Sequence, residues 1–328
     1  MIALGIETSC DETSIAVYSE KEGTLSSKIF SQAEIHANFG GVIPEVASRN
    51  HIQKIQPLYE ECMKESGIKE KDIDIIGVTN APGLIGALFV GVSFAKGLGY
   101  GLNKPVMPVH HLAGHILSAE LSYPDLKPPY TALIISGGHT HIFDVDKALN
   151  FTLIGKTIDD AAGEVFDKTA RVMGGPYPGG LFIQNMAKKG DRLKIKFPVA
   201  FKNEPRFSFS GLKTSVINTI NKGEYSYEDI AASFQYTVAK TLAEKVFAVA
   251  ESMKRDKIVV GGGVAANEEI RKVFNDLKAD KSVFFPEIAR CTDNGEMIAY
   301  AATRFYKFRK FLNYSGSAYD TKHSIGIL

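Results

Sequence analysis

Cysteine is scarce: the 328-residue chain has three, Cys10, Cys62 and Cys291, far apart and without a C-x-x-C pair. That excludes a disulfide framework and a zinc knuckle, and it fits a reducing compartment, so a cytoplasmic location is expected. Low-complexity tracts are also missing, and a composition that is 45% hydrophobic and 23% charged is that of an ordered protein. Charge of one sign is lacking too. The 38 Lys and Arg against 37 Asp and Glu give a formal net charge of +1, which excludes a uniformly basic polyanion binder; any nucleic-acid contact must come from a local patch or from a partner protein. No charged leader precedes an apolar region, since Met-Ile-Ala-Leu-Gly-Ile-Glu already reads as a strand, and export by a signal peptide is not expected. The uncharged run Ala81 to Ala95 is shorter than the roughly 20 residues of a membrane span. It is rich in glycine and reads as a buried helix, so no membrane association is expected.

What is present alternates strand and helix. Ile2 to Tyr18 reads as strand, polar turn (Glu7-Thr-Ser-Cys-Asp-Glu-Thr13) and strand, because apolar runs flank the turn residues. Thr131 to Val145 has the same shape around Ser136-Gly137-Gly138-His139-Thr140. Two such hairpins, alike in shape more than in letters, predict a duplicated two-lobed α/β architecture, and the chain is long enough for two cores. Helices are predicted over Glu45 to Ser66 and Leu84 to Tyr100, with a strand from Ile73 to Thr79 between them. Further helices are predicted over Asp159 to Met173, Tyr227 to Met253, Glu268 to Leu277 and Glu296 to Phe311, the last folding back to close one lobe.

Several residues have chemical possibilities. His111-Leu-Ala-Gly-His115 places two imidazoles four residues apart, on one helical face, as a shared metal requires; with eight histidines in the chain, a packed or capping histidine is the plain alternative. Leu112 stands where a zinc protease has its glutamate, which disfavours peptide hydrolysis. The Ser136-Gly137-Gly138 turn offers backbone N–H groups without Cβ bulk to a phosphate, or is an ordinary hairpin turn. Asp11 and Glu12 put two carboxylates at a turn, able to position an amine or act as a base, or simply solvated. Gly261 to Asn267, between a strand and a helix, is the strongest local nucleotide signal. Its G-x-G-x-x-A spacing also raises a dinucleotide-binding reading, disfavoured because such a fingerprint normally opens its domain. Asp159 to Met173 reads as a capped helix with Gly163 and Asp167 on one face, and Gly180 is the last residue of the Tyr177-Pro178-Gly179-Gly180 turn, where it could let backbone approach a ligand, or both are routine helix and loop chemistry. Between Lys188 and Lys213, basic residues alternate with Phe197, Phe201, Phe207 and Phe209, an RNA-facing surface or a solvated face. Arg304, Lys307, Arg309 and Lys310 form a second basic cluster on the last helix.

In order along the chain stand GIETSCDETSIAVY, FGGVIPEVASRNH, APGLIGALFVG, HHLAGH, ISGGHTH, DDAAGEVFDK, YPGG, FSFSGLKT, GGGVAAN and CTDN. Together they resemble the tRNA adenosine threonylcarbamoyltransferase family, the TsaD type, over essentially the whole chain. The resemblance implies an α/β fold with two similar lobes of the actin, sugar-kinase and Hsp70 (ribonuclease-H-like) type around a nucleotide cleft, here residues 1–116 with 300–328 and residues 117–299. It implies transfer of threonylcarbamoyl from threonylcarbamoyl-AMP to the exocyclic amine of the adenosine beside the anticodon in tRNAs reading ANN codons. It implies His111, His115 and Asp293 as ligands of one divalent metal, a set that suits iron(II) and also zinc. Ile134, Ile135, Ser136, Gly137, Gly138, Asp167, Gly180 and Asn267 are then contacts to the substrate nucleotide. Asp11 and Glu12 are the candidates for handling the amine. Expected partners are tRNA, a non-catalytic paralogue of the TsaB type and a small ATPase of the TsaE type. Gln184 stands where many relatives carry an acidic residue, which puts a carboxylate contact to the donor's ribose there in doubt.

Two other function classes share such a fold. An ATP-dependent small-molecule kinase would hold magnesium through carboxylates and water rather than a histidine pair. A non-catalytic ATP-binding scaffold would have no use for His111.

Overall fold

The structure, a computed structural model, describes residues 1–307; Arg309, Lys310 and the predicted end of the last helix at Phe311 lie outside the described residues. The order begins β1 (Ile2–Glu7), β2 (Glu12–Ser19), β3 (Gly23–Ser31), α1 (Ala33–Ala37), α2 (Pro44–Ser66), β4 (Ile75–Ala81), α3 (Ile85–Leu102), β5 (Val106–His110) and α4 (His111–Ser122). It continues with β6 (Tyr130–Ile135), β7 (Thr140–Val145), β8 (Phe151–Lys156), α5 (Ala162–Val172), α6 (Gly180–Ala187), α7 (Ser210–Lys222) and α8 (Tyr227–Ser252). It ends with β9 (Lys257–Gly261), α9 (Glu268–Leu277), β10 (Ser282–Phe284) and α10 (Gly295–Lys307).

Two compact units result, Met1–Asp125 with the chain from Thr292 on, and Leu126–Cys291. Boundaries at 116/117 and 299/300 would cut α4 and α10, whereas both helices stay whole in the first unit. Each unit holds one five-stranded sheet, ordered β3-β2-β1-β4-β5 in the first and β8-β7-β6-β9-β10 in the second. In the first, β1 pairs antiparallel with β2 and parallel with β4; in the second, β6 pairs antiparallel with β7 and parallel with β9. The predicted duplication is thus present strand for strand. The hairpin strands were legible from their apolar runs. The edge strands β3 (GTLSSKIFS) and β10 (SVF) were not, because one is polar on its open face and the other is three residues long.

Central strands β1, β4 and β6 are almost wholly buried, as parallel pairing with both faces covered requires. Helix α2 starts with Pro44 and stops at Gly67 in the left-handed region (φ 67°). Helix α3 is long and apolar enough to cross a membrane by length and composition, but Ala87, Leu88, Gly91, Val92, Ala95 and Gly99 form a buried face, so it is a core helix on that side only. In the second unit the long helix α8 packs its Phe234 on Phe166 of α5 and its Phe247 on Phe274 of α9. Its basic stretch is not an aromatic-lined RNA surface: Phe197, Phe207 and Phe209 are core residues. Lys188 pairs with Glu268, Arg192 with Glu269, Arg206 with Glu204 and Lys213 with Asp160. Asp159 does not cap α5; it accepts the Ser208 hydroxyl and the Phe209 N–H, tying two of the quoted motifs together.

Helix α10 sits directly on the first sheet. Gly5 and Gly77 are register partners on β1 and β4; a Cβ on Gly5 would lie 2.1 Å from the Gly295 carbonyl oxygen, and one on Gly77 would lie 2.7 Å from the Ala302 Cβ. The bare backbone at these two positions lets the helix approach, and the Gly295 N–H, which donates to the Ser14 hydroxyl (2.8 Å), pins its first turn. Asp293 lies two residues before that turn.

Replacing Gly5 or Gly77 with Ala should lower stability by about 1–3 kcal/mol or more, since backbone would have to move. Gly97→Ala, on an exposed part of α3 with nothing near its Cβ position, should raise stability by about 0.5–1 kcal/mol. Thermal and denaturant melts check both signs.

Candidate functional site

The first unit brings together three residues that the sequence separates. His111 opens α4 and His115 follows one turn later, both buried, while Asp293 comes from the segment before α10. Their potential ligand atoms lie within 4.8 Å of one another. His111 Nε2 is 3.5 Å and His115 Nε2 3.0 Å from Asp293 Oδ1. Two donors each about 2.1 Å from one ion stand about 3.0 Å apart at a right angle and about 3.4 Å apart at the tetrahedral angle. The two histidine-to-carboxylate separations, 3.5 and 3.0 Å, lie at or close to that range, so the donor set fits a shared divalent ion. Burial opposes charge on His111, but the carboxylates of Asp293 and Glu7 outweigh it and push its pKa up to about 9. The imidazole is thus held for a cation, whether proton or metal.

The position of α4 follows from its local chemistry. His110, on the N-cap, accepts the Leu112 N–H on Nδ1 (3.3 Å), and Gly114 faces Ile298 and Met297 of α10, where a Cβ would have only 3.0 Å to the Ile298 Cδ1. Sequence reasoning missed Glu7. It ends β1 fully buried, accepting the Ser9 N–H (2.5 Å) and the Thr79 hydroxyl (2.5 Å), and it faces His111 Nδ1 at 3.0 Å. Burial works against its charge, yet His111 outweighs that and holds the carboxyl below its usual range. A glutamate closing an otherwise apolar buried strand was the available signal, because a buried charge needs a partner.

Asp11 and Glu12 belong to the same unit. Glu12 accepts the Ser31 hydroxyl (3.0 Å), and burial together with the Asp293 and Asp11 charges pushes it up to about 9. It is therefore protonated at neutral pH unless a cation lies nearby to offset those charges. His51, from the FGGVIPEVASRNH motif, bridges the Cys10 carbonyl (3.0 Å) and the Thr13 hydroxyl (2.8 Å) and so fixes the turn that carries both carboxylates.

The second unit gathers the other candidates at one end of its sheet. Ile134 and Ile135 are buried at the end of β6, and Ser136, Gly137 and Gly138 form the turn to β7. Ser136 N–H donates to the His139 carbonyl (2.9 Å), so it is not open to a ligand; the Gly137 and Gly138 N–H groups bond to none of the described residues. A Cβ on Gly137, Gly138 or Gly180 would meet nothing within 4 Å. Behind the turn, the Gly163 N–H of α5 donates to the Ser136 carbonyl (3.1 Å), and a Cβ on Gly163 would lie 2.6 Å from that oxygen. Gly262 (φ 91°) packs as tightly on the Ile135 carbonyl, which brings the Gly-rich turn after β9 alongside. Asp167 accepts the Gly179 N–H (2.7 Å), linking α5 to the turn before Gly180, and burial raises its pKa. The Asn267 side chain is largely committed to the fold, capping α9 through Ile270 N–H (3.1 Å) and donating to Gln235 (2.9 Å). Gln184 and Glu268 are bonded to each other, Gln184 donating to the carboxylate (3.1 Å) and accepting the Glu268 N–H (2.9 Å). An acidic group is thus held beside Gln184, supplied by another element.

Comparison with known proteins identifies the family. The family model of the tRNA N6-adenosine threonylcarbamoyltransferases, TsaD, matches residues 23–300. Curated relatives of that name include those of Fusobacterium nucleatum (49% identical over 322 residues, 95% of this chain and 93% of the relative) and Thermosipho africanus (47% over 314 residues, 94% and 95%). Among solved structures, HypF from T. kodakarensis aligns with a TM-score of 0.66 at 15% identity, over 94% of this chain and 48% of that one. Component A of the Acidaminococcus fermentans (R)-2-hydroxyglutaryl-CoA dehydratase aligns at 0.56 and 15%, over 94% and 98%. These likenesses concern the fold, which is the α/β fold of the actin, sugar-kinase and Hsp70 type. By the match of its sequence over nearly its full length, the chain belongs to the tRNA N6-adenosine threonylcarbamoyltransferase family.

Proposed function

We propose that the chain transfers threonylcarbamoyl from threonylcarbamoyl-AMP to the exocyclic amine of the adenosine next to the anticodon in tRNAs reading ANN codons, releasing AMP. The observation that carries this reading is the convergence of His111, His115 and Asp293 on one point in a chain of this family. A sugar-kinase role or a non-catalytic scaffold leaves that convergence without a use.

An adenine amine is a poor nucleophile because its lone pair is delocalised into the ring, so positioning and an electrophilic acyl group must supply the rate. His111, His115 and Asp293 would hold one divalent ion, iron(II) or zinc by ligand type; when bound, such an ion supplies Lewis-acid polarisation and positive charge against charge that develops in transfer. In the second unit the Gly137 and Gly138 N–H groups take phosphate oxygens of the donor, with Ile134 and Ile135 fixing the strand end and the Ser136 carbonyl anchored on α5. Asp167 accepts from a ribose hydroxyl, Gly180 gives backbone access, and Asn267 holds the start of α9. Asp11 and Glu12 orient the amine or take its proton. A TsaB-type paralogue and a TsaE-type ATPase complete the expected system.

Purified chain with threonylcarbamoyl-AMP, tRNA and those two partners should form threonylcarbamoyladenosine, read by mass spectrometry of tRNA nucleosides; no product would overturn the assignment. His111→Ala, His115→Ala and Asp293→Ala should each lower metal content by elemental analysis and cut turnover by about 100-fold or more, the scale of losing a charge-stabilising group. Gly138→Val should raise KM for the donor about tenfold, the scale of one displaced charge-assisted hydrogen bond, with a melting temperature near that of wild type.

A further inference from the structure

Glu7 is fully buried, and its polar contacts are the Ser9 N–H, the Thr79 hydroxyl and the imidazole of His111. One oxygen takes the Ser9 N–H, the other takes the Thr79 hydroxyl and faces His111 Nδ1 at 3.0 Å. No lysine or arginine is among its ion-pair partners. The opposite ring nitrogen, His111 Nε2, faces Asp293. A carboxylate only accepts, so Nδ1 must carry the hydrogen of a neutral His111, and the lone pair is then on Nε2, on the side of Asp293 and His115. Ser9 Oγ, 3.2 Å from Nδ1, lies on the same edge and accepts from it as well.

We infer that Glu7 is a positioning residue for the metal centre: it fixes the tautomer and ring orientation of His111, raises the basicity of Nε2, and with Asp293 supplies two negative charges against one divalent cation. Partners of this kind commonly change metal affinity by about 10- to 100-fold. The site in β1 is built for the task, because β4 brings Thr79 to its second oxygen and the turn after β1 folds Ser9 back onto its first. The inference rests on the reading of His111, His115 and Asp293 as a metal site.

Zinc affinity of the full chain, measured by competition with a chelator, tests it, together with the visible absorption of cobalt-loaded protein. Glu7→Gln should weaken zinc about 10- to 100-fold and alter the cobalt bands. Thr79→Val, which removes one hydroxyl and neither charge nor ligand, should give a smaller loss in the same direction and serves if Glu7→Gln does not fold. Wild-type zinc affinity and an unchanged cobalt spectrum in Glu7→Gln, or in Thr79→Val where only that variant folds, would overturn the inference. His111→Ala separates the two levels: if it retains wild-type affinity, the metal site itself is misassigned, whereas loss in His111→Ala with none in Glu7→Gln rejects Glu7 alone.

Discussion

The close approach of helix α10 to the first sheet is the constraint on which the meeting of His111, His115 and Asp293 depends. Gly5 and Gly77 face each other across β1 and β4, and neither position tolerates even a methyl group without moving helix backbone. Packed interiors are too dense to absorb such a shift locally. Because Asp293 precedes the helix by two residues, the height of α10 over the strands sets the distance from the carboxylate to the two histidines. Gly114 does the same for α4 from the opposite partner. His115 and Asp293, 178 residues apart in the chain, thereby meet at 3.0 Å.

The parts of this arrangement legible in the sequence were those governed by short-range pattern. Apolar runs around polar turns gave both hairpins, and the spacing of His111 and His115 gave two candidate ligands. The third could not come from spacing, since Asp293 reaches them only through tertiary packing; resemblance supplied it. Glu7 was passed over because it sat inside what read as a turn, although β1 runs through it. The expected boundaries at 116/117 and 299/300 differ from the compact units because each falls inside a helix, α4 or α10, that packs as a whole within the first unit. Phenylalanines among the lysines after Lys188 suggested nucleic acid, but three of the four belong to the core and several of the cations are already paired.

Many of the quoted motif residues act one step away from any ligand. His51 holds the turn of Asp11 and Glu12 through the Cys10 carbonyl; Asp159 and Asp160 bind the Phe-Ser-Phe-Ser-Gly-Leu-Lys-Thr segment through Ser208, Phe209 and Lys213. Gly163 lets α5 close on the Ser136 turn. Such motifs are specific because they specify how turns are braced, and bracing is what keeps a handful of exposed backbone donors in place without a ligand to order them.

The strand-for-strand duplication has a further consequence. The loop between β1 and β2 and the loop between β6 and β7 occupy the same station in two copies of one sheet, yet the first ends in Cys10-Asp11-Glu12 and the second in Ser136-Gly137-Gly138. One copy gathers two carboxyl groups, and the other exposes the bare amide hydrogens of Gly137 and Gly138. The repeated backbone is thus one scaffold carrying opposite hydrogen-bonding characters, carboxyl oxygens at the first turn and open amide donors at the second.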